Sequence, residues 1–364
     1  MNDDKMRTEK VKIEYKNIED KLNQAINCGI NYLHSHQLPN GEFLVYLSND
    51  KDMQGWTLAE SSSFPTTLIG NSLLQLKSNS KVSKILIEAA DFLHYQMDRG
   101  GYWNHFTHVH PLRKICPLDL DDTACASHFL QKMNFKIPFK KNKQLMFDNR
   151  RRDGLFYTWI VFRWRYNKNK IYWYYASKEL KTLIKSFIFW RKFNCSRYDV
   201  DMVVNSNILF YIGKDNRTKK VINYLIETIK HNQESNRDKW YRNVLTAYYF
   251  ISRNIYAGIT ELDVIKKDII HKTLKKQNPD GSFGESVLET ALAVSSLLYS
   301  GYREKKLEKS IEYIIKTQSE YGNWDRWAFY YGAPKKPTCF GSEELTTGFC
   351  LEALTLFKDL HKHE

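Results

Sequence analysis

The segment Gln277-Asn278-Pro279-Asp280-Gly281-Ser282-Phe283 is one of four similar turns that recur along this 364-residue chain. In each turn a glutamine that closes an amphipathic stretch is followed by a glycine and then by an aromatic residue. Three turns place the glycine four residues and the aromatic six residues after the glutamine, and the fourth is looser; they are residues 37–43, 277–283, 318–324 and 96–103. A recurring segment of this kind indicates that one structural unit is repeated.

The residue types predict what each turn does. Glycine adopts the left-handed backbone conformation without steric cost, so we expect it to end the preceding helix. The aromatic side chain is expected to fold beneath the helix ends, where the glutamine amide can bond to exposed backbone groups. Degenerate copies of the turn occur at residues 154–156 and 233–240.

A second, more apolar helix is predicted after each turn. The spacing places these helices at about 64–77, 120–132, 201–213, 241–253, 286–299 and 343–358. The stretch 287–298 is apolar almost all round, as a fully buried helix should be, whereas 307–315 is apolar on one face only. This alternation predicts an all-α fold, an (α/α)6 toroid in which six outer helices surround six inner ones.

The chain is predicted to form a single domain over residues 1–364, because it has no linker rich in proline, glycine or serine. The third hairpin is the irregular one. It carries an aromatic and basic insertion at about 157–199, which contains Trp159, Trp164 and Trp173 together with Tyr174 and Tyr175.

The second inner helix begins with Asp119-Leu120-Asp121-Asp122-Thr123-Ala124. In a toroid the N-termini of the inner helices gather at one mouth of the central cavity, where free N–H groups favour carboxylates. Three carboxylates this close cannot all ionise cheaply, so at least one pKa should be raised, which would make a Brønsted acid facing an apolar chamber. The alternative is that Asp119 caps the helix and the other two acids only interact with its dipole.

The turns resemble the QW repeats of squalene-hopene and oxidosqualene cyclases, over most of the chain. The acidic segment resembles, at this one place, the DxDD(T/S)A motif of class II terpene cyclases. The resemblance implies that Asp121 protonates an alkene or epoxide of an isoprenoid substrate to start a cyclisation or isomerisation without a cofactor. Asp119 and Asp122 would tune and orient Asp121.

The resemblance also implies that aromatic faces stabilise the resulting carbocations. The candidate cation-stabilising aromatics are residues expected near the mouth of the cavity, and no motif identifies them. They are Trp56, Phe64, Trp103, Tyr198, Trp240, Phe283, Trp324, Trp327, Tyr330, Tyr331 and Phe340.

Familiar class II cyclases react between two toroids, and this chain is long enough for one. Either the chain therefore pairs with itself or with a second toroid, or the acidic motif has a different task. Two other functions stay open at this point. One is a carbohydrate-active toroid that uses paired carboxylates. The other is a non-catalytic toroid that binds an apolar ligand or a protein.

Two relatives of the terpenoid enzymes fit the sequence poorly. Protein prenyltransferases place Asp-x-Cys at the start of the fifth inner helix, which begins here with Glu285-Ser286. Class I terpene synthases need metal-binding motifs that we could not assemble. The residues His105, His108 and His110 allow a weak metal-site hypothesis, and one of them could instead support Asp121 as a hydrogen-bond partner.

The formal net charge of +14 favours anionic partners, such as a diphosphate or a membrane surface bound peripherally. No nucleic-acid-binding motif accompanies the charge, so we predict no nucleic-acid partner. The six cysteines form no CxxC pair and are expected to be reduced and mostly buried. The charged N-terminus has no apolar core of a signal peptide, which predicts a cytoplasmic protein.

Overall fold

The computed structural model describes residues 2–161, 167–180 and 183–361. Trp164 of the predicted insertion lies outside the described residues. The helices are α1 Asn2–His36, α2 Ser63–Ser72, α3 Ser80–Gln96, α4 Leu120–Lys132, α5 Phe139–Asp148, α6 Lys170–Leu180, α7 Leu183–Lys192, α8 Met202–Ile212, α9 Lys219–Lys230, α10 Glu234–Arg237, α11 Val244–Tyr256, α12 Lys266–Leu274, α13 Val287–Tyr299, α14 Lys306–Lys316 and α15 Glu343–His361. Short strands are β1 Val45–Ser48, β2 Leu58–Glu60, β3 Trp103–Asn104, β4 Leu118–Asp119, β5 Trp159–Ile160, β6 Tyr330–Tyr331 and β7 Cys339–Gly341.

Six helices form a closed inner ring. α2 packs against α4, α4 against α8, α8 against α11, α11 against α13 and α13 against α15, and α15 returns to α2. These helices bury nearly every side; in α13 all thirteen residues are buried. Helices that are enclosed all round must be apolar all round, because few polar groups can be satisfied there.

The outer ring consists of α1, α3, α5, α9, α12 and α14, each of which precedes its inner partner in the chain. α14 buries one face only, through Leu307, Ser310, Ile311 and Ile314. α5 reaches both neighbouring inner helices through Asn142, which donates to Ser127 Oγ and accepts from Tyr211. The predicted toroid of six hairpins is confirmed, and α6 and α7 occupy the predicted insertion between α5 and α8.

The predicted boundaries hold closely for α4, α8 and α13, whereas α2 ends at Ser72 and not at 77, and α15 continues to His361. The fourth inner helix is shifted at both ends. α11 begins at Val244 and not at 241. Arg242 has a positive φ of 55°, which interrupts the helical path. Asn243 then caps the helix by accepting the N–H of Leu245.

The glycine of each turn has a role different from the predicted one. α12 ends at Leu274, so Gly281 does not end the helix but closes a tight turn several residues later, at φ 89°. A Cβ atom there would lie 2.7 Å from the backbone oxygen of Lys309 in α14. Gly41 is packed in the same way against α3, and Gly322 against α1. The turns therefore join consecutive outer helices, and the last one closes the outer ring.

Two of the four glutamines, Gln318 and Gln37, bond to exposed backbone groups as predicted, but across helices. Gln277 bonds to α14 and not to its own turn, and Gln96 accepts the N–H of His108. Gln318 Nε2 donates to Gly322 O at 2.8 Å and to Ala25 O of α1 at 2.9 Å. Gln37 Nε2 makes the equivalent pair with Gly41 O and Ile85 O. The amides of Gln318 and Gln37 thus link their own turns to the neighbouring outer helices.

Short strands support the N-terminal ends of the inner helices. β4 lies between β3 and β5 in an antiparallel sheet, with Asp119 opposite Trp103 on one side and Trp159 on the other. A second sheet has the order β2-β1-β7-β6. These strands bring the acidic segment and the insertion together. Within the described residues, no helix is both long and apolar enough to cross a membrane.

Candidate functional site

A cavity of about 700 Å³, part of it open to solvent, lies at the N-terminal end of the inner ring. All three carboxylates of the acidic segment reach it. Its other walls are almost entirely apolar and come from several inner helices, the strands and the insertion. The lining residues are Phe64, His105, Phe106, Cys116, Asp119, Asp121, Asp122, Thr158, Trp159, Phe189, Phe193, Val204, Trp240, Tyr241, Tyr330, Tyr331, Gly332 and Phe340.

Asp119 is the N-cap of α4. Its Oδ1 atom accepts the N–H of Asp121 at 2.6 Å, which satisfies one of the free donors at the helix start. Burial raises the pKa of Asp119 well above its usual range, and the charges of Asp122 and Asp121 raise it further. The capping interpretation is therefore correct for one of the three acids.

Asp121 caps nothing and is held by two side chains from other inner-ring segments. Its Oδ1 atom accepts from Asn207 Nδ2 of α8 at 2.6 Å, and its Oδ2 atom accepts from the Tyr241 hydroxyl at 2.5 Å. Burial raises the pKa of Asp121 to about 6, while these two donors act in the opposite direction. Among the described residues no cation forms an ion pair with Asp121.

Asp122 lies beside His105. The His105 Nδ1 atom is 3.7 Å from Asp122 Oδ2, and Asp122 Oδ1 is buried with no hydrogen-bond partner among the described residues. The hypothesis that a histidine supports Asp121 is therefore wrong, because the histidine at the site faces the neighbouring acid. His105 also approaches the Tyr330 hydroxyl, at 3.4 Å from its Nε2 atom.

The other two histidines of the H-x-x-H-x-H segment point to different partners. His110 Nε2 lies 2.5 Å from Glu60 Oε2, and His110 Nδ1 accepts the N–H of Leu112. His108 contacts the ring of Tyr95 edge-on. Within the described ranges, no group of three or more His, Cys, Asp or Glu side chains is arranged to hold a metal ion.

Five of the predicted aromatics line the cavity: Phe64, Trp240, Tyr330, Tyr331 and Phe340. Three of them form one wall. The rings of Tyr330 and Phe340 stack at 5.0 Å, and Phe64 meets Tyr330 edge-on at 5.4 Å. The opposite wall contains Trp159, whose ring meets Trp240 edge-on at 5.3 Å.

The remaining predicted aromatics do not line this cavity. Trp103, Phe283 and Trp324 are fully buried between the two rings, where Trp103 Nε1 donates to Leu93 O and Trp324 Nε1 donates to Ile314 O. The repeated aromatics therefore satisfy carbonyls at the ends of α3 and α14. Trp327 packs half-buried against the core. Trp56 and Tyr198 are 62% and 58% exposed, at the surface.

Sequence reasoning missed several site residues: Phe106, Phe189, Phe193, Tyr241 and Asn207. Asn207 left a signal in the sequence, because it is the last of three consecutive polar residues, after Asn205 and Ser206, inside a helix that is otherwise strongly apolar. A polar side chain at such a position needs a buried partner, which here is Asp121. The other four come from turns and the insertion, whose positions the repeat pattern does not specify.

No protein-family model and no curated protein matches the sequence. Among solved structures, the chain is similar to the type II terpene cyclase MstE from Scytonema in complex with geranylgeranyl dihydroxybenzoate, its substrate. The TM-score is 0.69 at 13% identity, over 95% of this chain and 99% of MstE. It is also similar to ent-copalyl diphosphate synthase from Streptomyces platensis, with a TM-score of 0.50 at 16% identity. This match covers 81% of the chain and spans half of the synthase.

The fold is shared with sugar-active proteins as well. An unsaturated glucuronyl hydrolase specific for heparin matches with a TM-score of 0.56 at 10% identity, over 94% of this chain and 98% of the hydrolase. The predicted cyclase-like α/α toroid is confirmed as a fold. At these identities the likeness does not separate the cyclase function from the carbohydrate function, so the site must separate them.

Proposed function

We propose that this protein is a proton-initiated terpenoid cyclase or isomerase, in which Asp121 protonates an alkene or epoxide of an isoprenoid substrate. One observation carries the proposal. A buried carboxyl with a raised pKa faces an aromatic-walled cavity and is held by two donors that carry no formal charge. An ion-paired carboxylate would stay deprotonated, whereas Asp121 can be protonated near pH 6.

The two donors fit the task of an acid. When Asp121 gives its proton to the substrate, the carboxylate that remains accepts hydrogen bonds from Asn207 and Tyr241. Donors that are already in place where charge develops lower the barrier, since they need no rearrangement during the step. The neighbouring charges raise the pKa values of Asp119 and Asp121, so the three adjacent carboxyl groups retain a proton more readily than an isolated one would.

The walls fit the cation that protonation creates. The new C–H or O–H bond leaves an electron-deficient carbon, which the next alkene attacks as the ring closes. Aromatic faces stabilise a cation by their quadrupole, and Phe64, Trp159, Trp240, Tyr330 and Phe340 line the same cavity as the carboxyl. The reaction ends when the last cation loses a proton to a base or is captured by water.

Two alternatives fit the site less well. A sugar needs many polar partners, but apart from the carboxylates this cavity is lined mainly by aromatic and aliphatic carbon. A non-catalytic toroid needs the acids only as caps, and Asp121 is bonded to side chains of two other segments and caps no helix. MstE is about as long as this chain, so the proposal does not require a second toroid.

The proposal is tested by incubating the protein with linear prenyl diphosphates, squalene and prenylated aromatics, followed by mass spectrometry and NMR of the products. We expect a cyclic or rearranged product from at least one class of substrate, and none from the Asp121→Asn variant. Product formation that survives in Asp121→Asn would show that another group is the acid. Turnover of an oligosaccharide in place of all isoprenoids would replace the proposal with the carbohydrate alternative.

A further inference from the structure

A line of buried side chains continues from Asp121 through the inner ring. Asn207 of α8 donates from Nδ2 to Asp121 Oδ1 at 2.6 Å, and its own Oδ1 atom accepts from Arg253 Nη2 of α11 at 2.7 Å. Asn207 and Arg253 are both buried, at 1% and 5% exposure. Three inner helices are therefore joined in series at this point, namely α4, α8 and α11.

Arg253 is an unusual residue for such a position. Its guanidinium lies over the rings of Phe210, Tyr249 and Phe250 and, within the described part of the chain, forms no ion pair. Glu352 of the inner ring acts on Arg253 by its charge, but its carboxylate is bonded to the hydroxyls of Tyr249 and Tyr299. A buried charge without a bonded counterion is costly, so packing alone does not account for it.

The chemistry of the three groups fixes where the proton of Asp121 can reside. A guanidinium has donors and no acceptor, so Asn207 must turn its carbonyl oxygen toward Arg253. Its amide NH2 then faces Asp121 Oδ1, which must accept and cannot hold the acidic proton on that side. The proton is left to Oδ2, the oxygen that also contacts the Tyr241 hydroxyl.

We propose that Arg253 is a positioning residue that acts through Asn207 to keep Asp121 Oδ1 an acceptor, so that the transferable proton lies on Oδ2. The inference rests on the proposed function in so far as Asp121 is the acid. Arg253 does not line the cavity at Asp121; it bonds to Asn207, and its charge also acts on the pKa of Asp121.

The surroundings of Asp121 set the sign of the effect. The groups that face it are Asp119, Asp122 and Cys125 on its own helix, Tyr241 beside α11, and Arg253 behind Asn207. Asp122 raises the pKa of Asp121, whereas the Asn207 donor and the Arg253 charge lower it. Loss of Arg253 or of the Asn207 donor should therefore raise the pKa of Asp121 and make it a weaker acid.

The decisive variants are Asn207→Asp and Arg253→Gln. Asn207→Asp keeps the shape of the side chain and gives Arg253 a carboxylate partner, but it removes the donor to Asp121. We expect kcat at the acidic plateau to fall about a hundredfold in both variants, while the alkaline limb of the pH profile moves up by about one unit. A purely structural loss would lower activity without moving the limb. Arg237→Gln, which removes a partly buried arginine over Tyr224, is the matched control and should change neither.

A second measurement does not depend on turnover. Infrared difference spectra against Asp121→Asn follow the protonation of the Asp121 carboxyl directly, and its midpoint should rise in both variants. An unchanged midpoint in folded Asn207→Asp and Arg253→Gln overturns the inference, whatever the activity. A shifted midpoint in a protein that turns over no isoprenoid would support the inference and contradict the proposed function.

Chemical rescue offers a third readout, because Arg253 also borders a separate cavity at the opposite end of the ring, with His128, Lys143 and Glu352. In Arg253→Gly, added guanidinium can reach the vacated position from that side. We expect added guanidinium to raise the kcat of Arg253→Gly by at least about tenfold, since it replaces the donor to Asn207. Absence of rescue in a folded Arg253→Gly that binds guanidinium would count against the positioning role.

Discussion

The starts of two neighbouring inner helices carry the same Asp-x-Asp pattern and use it in opposite ways. At α4, Asp119 is the cap and Asp121 falls inside the first turn. At α8 the register differs by two residues, so that Asp201 is the cap and Asp199 precedes the helix. All four carboxylates are buried.

The acid of each pair that is not the cap has partners of different charge. Asp199 forms an ion pair with Lys239 and accepts from Trp240 Nε1 and Thr158 Oγ1, each at 2.9 Å. Among the described residues, the hydrogen-bond donors to Asp121 are an amide, a hydroxyl and the thiol of Cys125, none of which carries a formal charge as a donor. An ammonium partner favours the ionised carboxylate, whereas uncharged donors leave protonation within reach. Partner charge, and not the number of acids, therefore distinguishes Asp121, the proposed acid, from Asp199.

The sharpest test of this difference replaces one acid at each helix start by its isosteric amide. In Asp121→Asn we expect turnover of the isoprenoid substrate to fall by about a thousandfold or more, since the proton donor is lost. In Asp199→Asn we expect a change of no more than a few-fold. The measurement is kcat for both variants at the same pH, with circular dichroism to establish folding. Equal losses in both would end the distinction.

Removing one of the uncharged donors should have a smaller effect. Tyr241→Phe leaves Asp121 Oδ2 without its hydroxyl donor, so we expect kcat to drop by about ten- to a hundredfold and the pKa of Asp121 to rise. Tyr248→Phe removes a hydroxyl that bonds Glu234, away from the cavity, and serves as the control. If the two variants behave alike, the Tyr241 hydroxyl does not assist the acid.

The pH dependence of wild-type activity should report the protonation of Asp121. Its pKa is raised to about 6 by burial. Under the proposed function, the protonated form is the active one. Activity should therefore be full below about pH 6 and should fall about tenfold for each further pH unit above it. Initial rates measured at roughly half-unit steps from about pH 4.5 to about pH 8.5 check this expectation. A rate that rises through the same range would indicate a base in place of an acid.

The two cap residues, Asp119 and Asp201, should differ in how much they stabilise the fold. Asp201 accepts the N–H groups of Val203 and Val204 on Oδ1 and that of Lys239 on Oδ2. Asp201→Ala leaves these donors without partners, so we expect it to lower the free energy of unfolding by about 2 kcal/mol. Asp119→Ala should lower it by less, roughly 1 kcal/mol, because Asp119 makes fewer such bonds. Urea denaturation of both variants measures the difference, and a larger loss for Asp119→Ala would contradict it.

The repeated architecture could be predicted from the amino-acid sequence alone. Local periodicity predicts whether a helix belongs to the inner or the outer ring. α13 is apolar all round, whereas α14 is apolar on one face. The glutamine–glycine–aromatic turns marked where hairpins meet, and the acidic segment marked a helix start. These features are local, so neighbouring residues in the chain suffice to specify them.

The side chains that contact Asp121 and Asp122 could be identified only from the tertiary structure. Asn207 and Tyr241 lie 86 and 120 residues from Asp121 in the chain, and His105 turned out to face Asp122. Trp103 and Trp324, two aromatics of the repeated turns, lie between the rings and not in the cavity. Their indole N–H groups donate to carbonyls at helix ends. Ring closure sets these distances, because it brings together helices whose order in space the local pattern does not contain.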